Sequence, residues 1–205
     1  AVAAGLYVHV TTQQVMDAMS PDAQGLLAVV ATEEATGSEA LAAALEGARL
    51  VAVLTQAQDP GNAGTIIRAA DAAGADAVVL VRGSVDPTAP KVVRSTAGSL
   101  FHLPVVTGVA LDDAVTALHN AGLTVLAADG RGDFDLFEAE SLLEAPSAWL
   151  LGNEAHGLPS EALSRADAVV SIPIYGKAES LNVAAAAAVC LYASARAQAQ
   201  NSGRS

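Results

Sequence analysis

A single cysteine, Cys190, stands in a chain of 205 residues. One thiol excludes an internal disulfide and any zinc site built from several cysteines. It sits in an apolar, alanine-rich stretch, where a small buried hydrophobe is favoured over a reactive thiol. Aromatic residues make up only 3% of the chain, so the core has to be assembled mostly from Ala, Val and Leu. Cations are scarce too: 10 Lys and Arg face 22 Asp and Glu, for a net charge of −12. A polyanion is normally met by clustered Lys and Arg. The balance therefore argues against nucleic acid as a partner, although an uneven charge distribution leaves that route open. No run approaches the ~18 uncharged apolar residues of a membrane span, and no basic-then-apolar leader opens the chain. The expectation is a soluble, cytoplasmic protein with no membrane partner.

Familiar site motifs are missing as well. No G-x-G-x-x-G follows the first strand-like run, and Gly176-Lys177 lacks both the upstream glycine and the following Ser/Thr of a phosphate loop. No H-x-x-x-H or carboxylate cluster suggests a metal, so none is expected. His9, His102, His119 and His156 are scattered and read as structural or surface residues. No G-x-S-x-G marks a hydrolase nucleophile. The usual nucleotide, metal and hydrolase readings all fail.

What is present is a hydrophobic fraction of 52% with only 16% charged residues, enough for one good core. Residues 12–19 read as a helix and 26–30 as a strand, too little for a core of their own. Residues 32–47 read as a linker leading into an Ala-rich helix capped by Ser38. From Leu50 onward, strands (50–54, 77–81, 105–106, 123–127, 147–151, 168–172) alternate with helices (65–73, 91–100, 111–121). The segment from Asp59 to Gly64 reads as a turn. Such alternation predicts an α/β fold, a mostly parallel sheet with helices on both faces. Ligands of these sheets sit beyond the carboxyl ends of the strands, where the polar turns after Leu54, Ala127, Leu151 and Ile172 lie.

The most informative stretch follows the last strand. Ile172-Pro173-Ile174-Tyr175-Gly176-Lys177-Ala178-Glu179-Ser180-Leu181-Asn182-Val183 leads into Ala184–Ala188, an abrupt start for a helix of the best helix-forming residue. Ser180 and Asn182 are capping types. Beside free backbone N–H groups they favour a polar or anionic ligand, although a capped core helix with nothing bound has the same pattern.

Three motifs coincide. They are Asp59-Pro60-Gly61-Asn62-Ala63-Gly64-Thr65-Ile66-Ile67-Arg68-Ala69-Ala70, the loop Leu151-Gly152-Asn153-Glu154-Ala155-His156-Gly157-Leu158, and Ile172-Pro173-Ile174 through Glu179-Ser180-Leu181-Asn182-Val183. In order and spacing they resemble the signature motifs of the SpoU (TrmH-like) branch of the SPOUT RNA methyltransferases. Lys91-Val92-Val93-Arg94-Ser95-Thr96-Ala97-Gly98-Ser99 followed by Leu103-Pro104-Val105 is also similar to that family. The resemblance covers residues 48–197, the expected catalytic domain. Residues 1–31 resemble the end of the L30e-like RNA substrate-binding domain found in many members, and 198–205 read as a disordered tail.

The resemblance implies transfer of a methyl group from S-adenosyl-L-methionine to a ribose 2′-hydroxyl of rRNA or tRNA, a homodimer, and a C-terminal trefoil knot, an exception to the rule against knotted chains. It places Asn62, Arg68, Glu154, Ser180 and Asn182 in the active site. Ala128, Asp129, Gly130, Gly152, Ile172, Ile174 and Leu181 match its cofactor pocket. A 2′-hydroxyl is a poor nucleophile that needs proton removal and accurate placement. Arg68, six residues after Asn62 and expected to face the helix start, is the candidate for the RNA phosphate and for assisting deprotonation. Phosphate contacts would rest on Arg68, Arg82, Lys91, Arg94, Arg131 and Lys177. The alternative is a non-catalytic RNA-binding or ribosome-assembly factor that keeps the fold. Base methylation is a third reading, which the Ser-Leu-Asn triplet disfavours.

Overall fold

The computed structural model describes residues 2–21, 23–31, 35–153 and 157–202. The chain forms two compact units, Ala1–Glu33 and Glu34–Ser205. In the first, α1 (Gln13–Met19) begins where the Thr12 hydroxyl accepts the Val15 N–H at 3.3 Å. The strand expected over 26–30 is absent: those residues are irregular, and Leu26, Val29 and Val30 are exposed. A strand needs a neighbour to complete its backbone hydrogen bonds, and this unit offers none among its described residues.

The second unit is built on seven strands in the order β3-β2-β1-β6-β4-β7-β5. They are β1 (Leu50–Leu54), β2 (Ala77–Leu80), β3 (Val105–Val106), β4 (Thr124–Ala128), β5 (Phe134–Asp135), β6 (Ser147–Leu151) and β7 (Ala168–Ser171). Every described strand pair is parallel. Parallel neighbours need crossovers, and the helices supply them. The central strands are buried on both faces, hence runs such as Leu-Val-Ala-Val-Leu instead of a polar alternation.

Alternate residues serve two different cores. Leu50, Ala52, Leu54, Trp149 and Leu151 point to one face. There they pack with α3 (Pro60–Ala72), α4 (Pro90–Ser95), α6 (Glu140–Glu144) and α8 (Val183–Ser202). Val51, Val53, Ala148 and Leu150 point to the other, toward α2 (Gly37–Ala44), α5 (Leu111–Asn120) and α7 (Ser160–Arg165). This period of two is what a strand imposes. Cys190 lies in the first core, fully buried, where burial pushes its thiol up to about 12. It is inert packing.

Several expectations are corrected. The segment from Asp59 to Gly64 is not a turn: α3 starts at Pro60, and the Asp59 carboxylate accepts the Asn62 N–H at 2.7 Å. Proline suits a first helical position because its missing N–H has no partner there anyway. The helix expected over 91–100 is broken after Ser95, where Ala97 and Gly98 take positive φ. The Ala-rich helix expected after Ser38 is present as α2, but Ser38 is not its cap: the helix starts at Gly37, after Thr36. Leu41 and Leu45 are buried in the second core, and Gly37 donates its N–H to Thr107 O at 3.0 Å. Nor is 198–202 a disordered tail. The helix α8 runs to Ser202, and Gln198 Nε2 donates to Arg49 O at 3.2 Å and Ala145 O at 3.0 Å. A side-chain amide there satisfies carbonyls at the amino edge of the sheet. Residues 203–205 lie outside the described residues.

Trp149 and Ser194, both fully buried, are joined by Nε1–H to Oγ at 2.9 Å, which pins α8 to β6. Ser194→Ala leaves the indole N–H buried without that partner, so a loss of about 1–3 kcal/mol is expected. A denaturant midpoint followed by Trp149 emission checks it; an unchanged midpoint would contradict the role given to this bond.

Candidate active site

Parallel pairing sets the carboxyl ends of β4, β6 and β7 side by side, and a cavity of about 530 Å³ opens beyond them. The end of β4 contributes Ala128, Asp129 and Gly130; the turn after β6 contributes Gly152, Asn153 and Gly157. Beyond β7 come Ile172 and Ile174, then Glu179, Ser180, Leu181 and Asn182 at the entry to α8. All seven residues expected at a cofactor pocket therefore surround one space. Asn153, Gly157, Val170, Glu179, Val183 and Ala186 line it as well, although the sequence reading assigns none of them to the pocket. For Asn153 and Glu179 the available signal was adjacency to Gly152 and Ser180.

The turn after β6 is drawn tight by backbone contact. Asn153 and Gly157 exchange N–H to O bonds of 2.9 and 2.8 Å, and Asn153 Nδ2 donates to Gln56 O at 2.9 Å. A Cβ on Gly152 would lie 2.5 Å from Gly157 C and 2.7 Å from Leu158 N. Only glycine permits that approach. Glu154, together with Ala155 and His156, lies outside the described residues.

Asn182 has two jobs. Its Oδ1 accepts the N–H groups of Ala184 at 2.9 Å and Ala185 at 3.4 Å, while Nδ2 donates to Asn62 Oδ1 at 3.2 Å. It is thus the cap of α8 and the link to the start of α3. Of the two residues read as capping types, Asn182 is the one that caps, and its oxygen occupies two of the first amide groups of α8. Ser180 is exposed beside it on the cavity wall.

Arg68 is not brought to this cavity. Six residues separate it from Asn62, roughly 120° around the helix and about 9 Å along it. It stands exposed on another face of α3 and outside the lining. Arg131, expected among the phosphate-binding cations, is engaged with Asp129: Nε and Nη2 donate to the carboxylate at 2.9 and 3.0 Å. The side-chain bonds from Arg131, helped by its backbone N–H, hold the Asp129 carboxyl below its ordinary 3.8 against the opposing effect of burial. Among the described residues no cluster of His, Cys, Asp and Glu is placed to hold a metal, and no helix is long and apolar enough to cross a membrane.

With this geometry in view, comparison with known proteins is decisive. The SpoU rRNA Methylase family model matches residues 49–192. The chain belongs to the SpoU rRNA methylase family. One SpoU relative, the 23S rRNA (guanosine(2553)-2′-O)-methyltransferase RlmP of Bacillus subtilis, is 42% identical over 151 residues, covering 72% of this chain and 58% of that protein. Another, the 23S rRNA (uridine(2479)-2′-O)-methyltransferase of Streptomyces viridochromogenes, is 41% identical and covers 67% and 49%. The chain thus spans about half the length of these relatives. Among solved SpoU-type structures, an AdoMet-bound rRNA methyltransferase from Sinorhizobium meliloti superposes with a TM-score of 0.77 at 31% identity, over 90% of this chain and 70% of that one. The SpoU methyltransferase AviRb from Streptomyces viridochromogenes in complex with AdoMet gives 0.67 at 37% identity, over 73% and 60%. The parallel sheet and its helices are therefore of the SPOUT type.

Two outcomes are expected. Gly152→Ala forces backbone against a new methyl group, costing about 1–3 kcal/mol by overpacking; a thermal melt equal to the parent would contradict the tight turn. Arg131→Ala is expected to return the Asp129 carboxyl toward 3.8, read by carbon NMR titration. Because the folded value is depressed, the stability this pair adds is present at neutral pH and lost as pH falls through that value. An Asp129 midpoint indifferent to the substitution would contradict the pairing.

Proposed function

We propose that the protein is an S-adenosyl-L-methionine-dependent RNA methyltransferase acting on a ribose 2′-hydroxyl of rRNA or tRNA. The observation that carries this is the single cavity beyond β4, β6 and β7. Its walls include the seven residues the resemblance assigns to the cofactor, and Ser180 and Asn182 stand beside them. Family membership and the 2′-O-methyltransferase names of the relatives support it.

The residues present fit the cofactor. The cavity volume lies within the roughly 300–1,000 Å³ of small-molecule sites. Ile172, Ile174 and Leu181 give apolar walls for an adenine ring, and Gly152, whose Cβ position is filled by backbone, brings peptide groups close. Glu179 supplies negative charge for a cationic ligand, whereas the Asp129 carboxylate is already met by Arg131. When bound, S-adenosyl-L-methionine supplies an electrophilic methyl group on a sulfonium centre. The chain's part is placement. Asn182, fixed by its cap and by Asn62, holds the rim in one arrangement, and the Ser180 hydroxyl is available to orient the ribose. Arg68 grips an RNA phosphate and favours loss of the 2′-hydroxyl proton, and Glu154 remains the motif's carboxylate in this reading.

The same proposal includes a cytoplasmic homodimer, a trefoil knot in the C-terminal half of the catalytic domain, and an L30e-like RNA-binding role for the domain to which residues 1–31 belong. Exposed Phe101 and Tyr192 support a partner copy. Tyr192 sits beside α3, donating its hydroxyl to Ala72 O at 3.2 Å.

Tritiated methyl transfer to bulk rRNA and tRNA, followed by nuclease digestion, is expected to yield 2′-O-methylated nucleosides; methylated bases instead would overturn the ribose assignment. Arg68 lies outside the cavity lining, so Arg68→Ala is expected to lose transfer by about 10²-fold or more while retaining cofactor affinity by calorimetry. Unchanged turnover would remove Arg68 from the mechanism.

A further inference from the structure

The chain has one tryptophan, three tyrosines and three phenylalanines, and Trp149 alone among them is buried in the core. An aromatic side chain brings 150–250 Å² of burial to a core, yet this core is built of Ala, Val, Leu and Ile. Three of the outward-facing aromatics belong to the two segments that frame the cavity: Phe134 is 46% exposed, Phe137 59% and Tyr175 87%. Phe134 and Phe137 follow the lining residues Asp129 and Gly130. Tyr175 comes directly after Ile174 and before Glu179, which both line it.

The two segments leave the sheet together. Phe134 pairs with Val170 and Asp135 with Ser171, Leu136 N–H donates to Ser171 O at 2.9 Å, and Ser171 Oγ donates to Phe134 O at 3.2 Å. The first segment is held in place. A Cβ on Gly132 would lie 2.6 Å from Val169 O, so its backbone is pressed against β7. Asp135 Oδ1 accepts the Phe137 N–H at 2.8 Å. Lys177, two residues past Tyr175, is an exposed cation on the second segment.

Solvent-facing rings on two segments that border a cavity, the first segment fixed through its backbone, with an exposed cation on the second, match what unstacked nucleobases need. Proteins read single-stranded RNA by stacking bases on aromatic faces while cations meet the phosphates. We propose that Phe134, Phe137 and Tyr175 form a stacking platform for the nucleobases flanking the target ribose, with Lys177 against the adjoining phosphate. This rests on the RNA methyltransferase reading. It also accounts for how a chain of net charge −12 holds RNA: much of the grip comes from stacking, which needs few cations.

The test uses a single-stranded RNA oligonucleotide of mixed sequence carrying 2-aminopurine, whose emission reports stacking without any methyl transfer. Binding to the parent protein is expected to quench the probe. Tyr175→Ala and the Phe134→Ala/Phe137→Ala pair are expected to relieve the quenching and weaken binding by about 5- to 100-fold per stacked base. Tyr175→Trp should restore both, and the Kd for S-adenosyl-L-methionine should stay within twofold throughout. Undiminished quenching and affinity in the alanine variants would overturn the platform, as would a parent protein that leaves the probe unbound. A shift of these variants from dimer to monomer with RNA affinity intact would also overturn it, assigning the rings to a second copy. Failure of the activity reading looks different: no cofactor binding and no methyl transfer, with the probe still quenched.

Discussion

Parallel pairing of β6 with both β1 and β4 is the constraint on which the rest of the molecule depends. Val51, Ala148 and Val125 lie in one register across the three strands, so their chain directions agree and their carboxyl ends share one edge. A parallel sheet cannot be joined by hairpins, so helices must cross both faces, and this divides the apolar residues into two cores. It also gathers the loops after β4, β6 and β7 at that edge, the place where such sheets bind ligands. The site is a consequence of strand direction before any side chain is considered.

Backbone contact then shapes the site more than charge does. Gly152 and Gly132 each rest against main-chain atoms at distances no Cβ would tolerate, which fixes two of the loops. The third is fixed by Asn182, whose amide serves α8 with its oxygen and reaches α3 with its nitrogen. Among the described residues, the close charge pair at the cavity, Asp129 with Arg131, is local to its own loop. The outcome is a cavity walled by backbone, apolar side chains and a few polar ones, with no Lys or Arg among its described lining residues, consistent with an acidic chain that has few cations.

Much of this was legible in the sequence because signals at several levels agreed. Runs such as Leu50–Leu54 are too apolar for anything but a buried strand. The Ala-rich start of α8, preceded by Ser180 and Asn182, marks a capped helix, and the three motifs fall on the loops that meet around the cavity. Other features depended on information no local pattern carries. The strand β5 is two residues long and exists only through its pairing with β7. Helices α6 and α7 are five and six residues long, too short to show a period. The Pro-Gly-Asn-Ala-Gly run has the composition of a turn, because glycine and proline dominate turns, whereas an Asp cap and an N-terminal proline begin a helix with the same letters. Arg68 enters the site through the motif match, and six residues from Asn62 is not a whole number of helical turns, so the two do not share a face of α3. Residues 26–30 had strand composition but no neighbouring strand.

The central claim is that the space beyond β4, β6 and β7 holds S-adenosyl-L-methionine. The most direct measurement is a backbone-amide NMR titration of the protein with that cofactor. The account predicts saturable shifts confined to residues 128–130, 152–153, 170–174 and 179–186. No saturable shift, or shifts centred on the smaller cavity around Gln56, Arg82 and Asp112, would contradict it.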